Sequence, residues 1–404
     1  MKLLYNFLNT IFQVLFPVIR LISPKMKRFV DGRKETSKLL HDTIFIGNDW
    51  LWFHCASLGE YEQAVPLIKE LKGKGNKILV SFFSPSGYEQ KKNHELIDLA
   101  IYLPIDTPEN ACYLVEKVKP KRAFFIKYEF WENYFSTLNK NQIPIYMVSS
   151  TFRFNQPFFK WYGVFLKKTL KRVTHFFVQN KNSENVLRFN GFENVTVSGD
   201  TRFDRVNAQL AMDNQLDFIQ DFKQERLCVV LGSTWPECEE VFVNAVNASN
   251  DAVCFVIAPH EIKEEKIKNL VSQLKGKVSL YSKGIESDSK ILIIDTIGYL
   301  TRIYSYADIA YVGGGYGNSG LHNILEPAVF GTPIIVGPNT EKFPEAKALK
   351  KVGGLKEVKT SQEFKTTLTN LILESTYRRQ MSNASMDFVK NRVGATAIIL
   401  DSLN

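Results

Sequence analysis

Hydrophobic positions along this chain fall in short unbroken runs, not in alternation. From residue 51 the runs are "LWFHCAS" (51–57), "KILVSFF" (77–83), "RAFFIKY" (122–128), "IPIYMVSS" (143–150), "THFFVQN" (174–180) and "VTVSG" (195–199). Longer amphipathic stretches separate them, including helical ones from about Glu60 to Leu71 and from about Tyr88. Unbroken apolar strands divided by helices predict a parallel sheet covered on both faces. The polar segment 201–225 carries no strand signal. The pattern then restarts with 227–233, 252–259, 291–296, 309–314 and 333–337, and a tail over 361–402 reads as helices. The expected architecture is α/β, with two doubly wound Rossmann-like domains facing a cleft and ligand loops at the strand C-termini. The expected domains are 31–205 and 206–404, with terminal helices able to pack back on the first.

Residues 3–23, "LLYNFLNTIFQVLFPVIRLIS", are mostly apolar, and Lys25, Lys27 and Arg28 follow. No small-residue cleavage site follows, so a removed signal is not expected. Asn6, Asn9, Gln13 and Arg20 share one helical face, which predicts an amphipathic, membrane-associated helix within residues 1–30. A full span and a helix packed on the protein are the alternatives. The net charge of +9 is unevenly placed: residues 1–200 hold 28 Lys/Arg against 18 Asp/Glu, and residues 201–404 hold 23 against 24. An anionic partner is therefore expected at the first half, and no nucleic-acid motif claims that charge. The five cysteines show no C-x-x-C spacing and read as free thiols of a reducing compartment.

Candidate chemistry gathers at strand ends. In "HCASLGEYEQ" (54–63) a strand runs into Ser57 and Gly59, and Glu60 opens the next helix. A carboxylate there complements the helix dipole; at a strand end it is also placed for general-base work. "YEFWEN" (128–133) offers Glu129, and "LGST" (231–234) offers Ser233 and Thr234. "DTIGYL" (295–300) is a further turn, with Gly298. "YVGGGYGNSGLHNILEP" (311–327) contains Gly315-x-Gly317-x-x-Gly320, the dinucleotide fingerprint, before a helix expected from about Leu321. Such a turn predicts a phosphate at a helix N-terminus. The next strand ends in Gly337-Pro338-Asn339 with no acidic residue for a ribose, which counts against NAD. Glu326, inside the expected helix, is placed for ribose hydroxyls instead. No Asp-x-Asp pair and no His/Cys cluster predicts a metal.

The ordered motifs "WFHCASLGE", "YLPIDTPEN", "YEFWEN", "SGDTRFD", "LGST", "IAPHE", "DTIGYL" and "GGGYGNSGLHNILEPAVFGTPIIVGP" resemble the bacterial Kdo transferases (3-deoxy-D-manno-octulosonic acid transferases) over essentially the whole chain. The resemblance implies the GT-B fold. It also implies inverting, metal-independent transfer of Kdo from CMP-Kdo to a phosphorylated lipid A precursor in lipopolysaccharide biosynthesis. No cofactor and no nucleic acid is implied, and the expected location is the cytoplasmic face of the inner membrane, peripheral or N-terminally anchored. By the same resemblance Glu60 is the catalytic base and Glu129 the second carboxylate. Ser233, Thr234, Pro259, His260, Gly298, Ser319, Gly320, His322, Asn323 and Glu326 fall at the donor, and Ser57, Gly59 and Arg153 at the acceptor. His260, Tyr299 and Lys127 depart from the family's usual residues. A GT-B enzyme using another nucleotide sugar and an NAD oxidoreductase are the alternatives.

Overall fold

The apolar runs become strands buried from both sides. The computed structural model describes residues 1–43, 45, 49–317 and 319–403. The chain divides into two units, one of 1–205 with 393–404 and one of 206–392. In the first, seven strands are ordered β3-β2-β1-β4-β5-β6-β7. They are β1 Trp50–Cys55, β2 Lys77–Phe82, β3 Leu99–Tyr102, β4 Arg122–Ile126, β5 Ile145–Ser150, β6 His175–Val178 and β7 Val195–Val197. Every pairing is parallel. Successive residues feed opposite cores: Trp52 and Phe125 pack on one face, Phe53 and Phe124 on the other. That is why the sequence shows no alternation.

The second unit repeats the plan with β8 Leu227–Thr234, β9 Val253–Pro259, β10 Val278–Leu280, β11 Ile291–Ile293, β12 Ile309–Val312, β13 Ile334–Val336 and β14 Leu355–Glu357. Their order is β10-β11-β9-β8-β12-β13-β14. Strand order reverses beside β1 in the first sheet, at its β4 neighbour, and beside β8 in the second, at its β12 neighbour. In doubly wound sheets ligands bind at the carboxyl ends next to such reversals. The edge strands β3, β10 and β14 were not foreseen.

Helix Ala395–Leu403 belongs to the first unit, and the second unit ends at Arg392. The Asp204 carboxylate accepts from the Gly394 and Thr396 N–H groups at 2.6 and 2.7 Å. Ile399 and Leu403 are buried in the core that holds Phe53.

The N-terminal helix Lys2–Val14 is oriented polar side inward. Tyr5 donates to Asp106 at 2.6 Å, and Asn9 to the Asp106 carbonyl at 3.3 Å. Asn133 donates to Asn6, and Asn110 to Gln13. Leu3, Leu4, Phe7, Leu8 and Val14 are exposed instead. The helix thus docks on its own domain by its polar face and leaves its apolar face uncovered. Among the described residues no helix is long and apolar enough to cross a membrane.

Candidate functional site

The first domain places its carboxylates at the strand reversal. Chain leaving β1 passes Ser57 and enters helix Leu58–Gly73, whose first turn carries Glu60. Glu60 reaches back to accept the Ala56 N–H at 2.5 Å. This satisfies a donor at the helix entry and fixes the side chain at the strand end. Burial, reinforced by the nearby Glu129 charge, pushes the Glu60 carboxyl above the usual range; His54, the Ala56 N–H and Lys127 oppose that rise. A side chain built at Gly59 would meet nothing within 4 Å, so neither packing nor backbone conformation demands glycine there. The space lies open beside Glu60, as close approach of a ligand would require.

Glu129 follows β4, the neighbour of β1, and is held from two sides. Trp131 Nε1–H donates to its carboxylate at 3.1 Å, and His54 Nε2 lies 3.3 Å away. His54 is fully buried, with Nδ1 2.8 Å from Ser81 Oγ. Trp52 Nε1, which can only donate, points at that same oxygen at 2.8 Å. His54 Nδ1 also lies 3.1 Å from the Ser81 carbonyl oxygen, so Ser81 fixes the ring from one side while Nε2 faces Glu129. Lys127, between them, adopts φ 61°, a conformation rare for a non-glycine residue and frequent at functional sites. Arg153 is exposed in the segment after β5, and no described contact ties it to the carboxylates.

In the second domain the sequence-predicted residues fall into two groups. Ser233, next to last in β8, has φ 53°. Trp235 follows and stacks on His260, with centroids 4.6 Å apart and planes 26° off parallel. It also donates from Nε1 to His322 Nε2 at 3.0 Å. Burial, with the His260 ring adjacent, lowers the His322 pKa to about 4. His322 is thus neutral at physiological pH, accepting on Nε2 and carrying its proton on Nδ1. Pro259 lines a shallow hollow with Thr234 and Trp235. The second group centres on Glu326, whose carboxylate accepts from Asn323 Nδ2 and Thr301 Oγ1, both at 3.0 Å. Thr301 lies just beyond the Gly298 turn, where φ is 103° and a side chain would meet open space. Asn323, Glu326 and the 298–301 segment are so brought together. No described contact joins Ser319 to either group.

The glycine-rich turn differs from expectation. The helix after it covers only Leu325–Val329 and so begins four residues later than expected. Pro327 is the reason: it is accepted in a first turn, whereas a helix starting at Leu321 would hold it inside, without an N–H and against the preceding turn. The glycines are also accounted for by close backbone crossings. A Cβ on Gly313 would lie 2.0 Å from the Ser233 carbonyl, and one on Gly315 2.8 Å from Gly337 N. Among the described residues, the fingerprint's third glycine does not open a helix as the dinucleotide motif requires. Sequence reasoning missed His54, Trp131, Trp235 and Thr301. Trp235 carried a signal, an aromatic directly between "LGST" and a helix-opening proline; a buried histidine within a strand carried none.

The profile of the 3-deoxy-D-manno-octulosonic-acid transferase (kdotransferase) family matches residues 25–205. A 3-deoxy-D-manno-octulosonic acid transferase of Aquifex aeolicus is 28% identical over 329 residues, covering 80% of this chain and 86% of that protein. A bifunctional glycosyltransferase/methyltransferase of Fusobacterium nucleatum is 26% identical over 98% of this chain, which spans 62% of that protein's length. Among solved structures, the UDP-GlcNAc 2-epimerase of Neisseria meningitidis superposes with TM-score 0.63 at 19% identity, covering 88% of this chain and 98% of that one. A calicheamicin glycosyltransferase does so with TM-score 0.58 at 12% identity, covering 89% and 98%. These likenesses establish the GT-B fold. With that fold, the profile match over 25–205 and relatives aligned over most of its length, the chain is similar to the bacterial Kdo transferases.

Proposed function

We propose that the protein transfers Kdo from CMP-Kdo to a phosphorylated lipid A precursor in a single inverting displacement that needs no metal ion. The observation that carries this reading is the pair of carboxylates, Glu60 and Glu129, at the ends of adjacent strands where the first sheet reverses its order. Glu60 takes the proton of the acceptor's primary hydroxyl as its oxygen bonds to the anomeric carbon of Kdo. The bond from that carbon to the CMP phosphate breaks, and CMP leaves. A carboxyl with a raised pKa is a stronger base than an ordinary one, provided it is ionised at the working pH. Glu129, oriented by His54 and Trp131, faces the same acceptor. Ser57, Gly59 and Arg153 complete the acceptor side.

On the donor side, Glu326 accepts hydrogen bonds from the ribose hydroxyls, taking them in exchange for Asn323 and Thr301. Ser233, Thr234, His260, Ser319, Gly320 and the Nδ1–H of His322 supply neutral donors to the leaving phosphate, and Pro259 and Gly298 shape the surface. Among the described residues no three His, Cys, Asp or Glu side chains form a cluster of the kind a resident metal uses. The protein works at the cytoplasmic face of the inner membrane, with helix Lys2–Val14 lying on it.

The test is mass spectrometry of the product formed from CMP-Kdo and a tetraacylated lipid A precursor, with and without EDTA. Addition of one or more Kdo masses in both samples is the expected result. Transfer only from a UDP-sugar would replace the donor assignment, and loss with EDTA reversed by Mg²⁺ would overturn the metal-independent step.

A further inference from the structure

Residues 151–172, "TFRFNQPFFKWYGVFLKKTLKR", contain six Lys/Arg and no Asp or Glu. Arg172 is engaged by Glu132, and Lys167 lies over the Phe192 ring. Arg153, Lys160, Lys168 and Lys171 are exposed, with no acidic partner among the described residues. The segment folds tightly on itself. Gly163 N–H donates to the Lys160 carbonyl, and a Cβ on Gly163 would lie 1.7 Å from the Pro157 carbonyl oxygen. The tip of this fold is Trp161-Tyr162. Of the five tryptophans, Trp161 alone is exposed, at 88%; Tyr162 and Val164 are exposed beside it. Phe165 packs on Tyr5, centroids 5.6 Å apart, so the segment touches the N-terminal helix whose apolar side is uncovered. Further along, Lys25, Lys27 and Arg28 are exposed in the first turn of helix Pro24–Asp42, where no acidic residue offsets them against the helix dipole.

We propose that residues 160–171 are a second lipid-contacting element: Trp161 and Tyr162 enter the headgroup layer of an anionic bilayer, while Lys160, Lys168 and Lys171 meet its phosphates. The proposal rests on the reading that the protein works at a membrane surface. Tryptophan and tyrosine favour that layer because each has an apolar ring and a polar edge. Unpaired bases beside an apolar face match an anionic leaflet and not an apolar protein groove. Two contact elements hold a peripheral enzyme better than one, and fix which face it turns to its lipid substrate.

The test uses the full chain and vesicles of phosphatidylethanolamine and phosphatidylglycerol, with phosphatidylcholine vesicles as the neutral comparison. Trp161→Ser with Tyr162→Ser should weaken binding to the anionic vesicles at least ~10-fold. Lys168→Glu with Lys171→Glu should weaken it by roughly fivefold or more per residue and flatten its salt dependence. Brominated lipid should quench tryptophan emission in the parent and spare it in Trp161→Phe. Turnover of acceptor dispersed in detergent micelles should be unchanged in the aromatic variant. Unchanged vesicle binding, quenching that persists without Trp161, or a matching fall in micellar turnover would each overturn the proposal. Phe7→Ser with Leu8→Ser separates it from the reading beneath it. If that variant loses binding and the 161/162 variant does not, the N-terminal helix alone holds the membrane. If neither changes binding, the membrane reading fails as well.

Discussion

Glu60 is under two opposed demands, and they can be measured apart. As the proposed base it must be ionised, yet burial and the Glu129 charge raise its pKa, so ionisation is costlier in the folded chain than in the unfolded one. For an acid raised in this way, the favourable contribution is present below the unfolded pKa and is lost as pH rises through the folded one. At neutral pH the ionised Glu60 therefore costs stability. Glu60→Gln, which can still accept the Ala56 N–H, should lower kcat by ~10²–10⁴-fold with CMP-Kdo affinity retained. It should also raise Tm at pH 7, by up to about 4 °C, and the gain should shrink towards pH ~4, where the carboxyl is protonated in both states. Single-turnover kinetics and thermal unfolding at two pH values check both; a slower variant with a lower Tm would mean that Glu60 is mainly a structural cap. Glu326 is the counterpart in the second domain. With its two internal bonds released to ribose hydroxyls, Glu326→Ala should weaken CMP binding at least ~10-fold in calorimetry, while the acceptor's KM stays within about twofold. CMP binding that does not change would remove Glu326 from the nucleotide site.

At the scale of elements, the strands were legible because a parallel strand buried on both faces cannot hide its composition, and their ends gave the positions of Glu60, Glu129 and Ser233. In the glycine turn, glycine has two uses with one signature: at Gly313 and Gly315 it admits another backbone segment, a use the sequence does not distinguish from close approach of a ligand. Pro327 held the correct helix start all along, since proline restricts where a helix can begin. The N-terminal helix was legible as amphipathic, but which face turns inward depends on what the domain offers it. The domain offers Asp106, buried, with its pKa raised to about 6 by burial against the opposing pull of the Tyr5 hydroxyl and of the Asn133 and Tyr134 N–H groups. An apolar helix face could not satisfy that carboxylate. Tyr5→Phe removes one donor from it, a loss of about 1.5–3 kcal/mol for a hydrogen bond to a charged group. Amides of helix Lys2–Val14 should then exchange with deuterium at least ~10-fold faster above pH 6, with less effect at pH 5, where Asp106 is protonated. Equal exchange in the variant and the parent would show that the apolar contacts, not the Asp106 latch, hold the helix.

At the scale of the whole molecule, the apolar pattern restarts where the second unit begins, and the sequence left open whether the terminal helices return to the first. The pattern says where strands begin anew; it cannot say on which core an amphipathic tail will settle, because either core would bury Ile399 and Leu403 equally well by composition. The choice is made by specific polar contacts. Asp204, at the end of the first domain, receives the N–H groups of residues 394 and 396, and the Arg122 side chain donates to the Leu403 carbonyl at 2.8 Å. The first domain is thus closed by residues that lie nearly two hundred positions after it in sequence. A cavity at Ile399 should be felt there and not in its sequence neighbours. Ile399→Ala, at a fully buried site, should cost about 2–5 kcal/mol of the first domain's stability. Under mild denaturant, hydrogen exchange should accelerate across β1 to β7 while β8 to β14 keep the protection of the parent. CMP affinity, which depends on the second domain, should be unchanged. If protection falls instead in β8 to β14, the last helix serves the second domain in solution and the chain does not return as described.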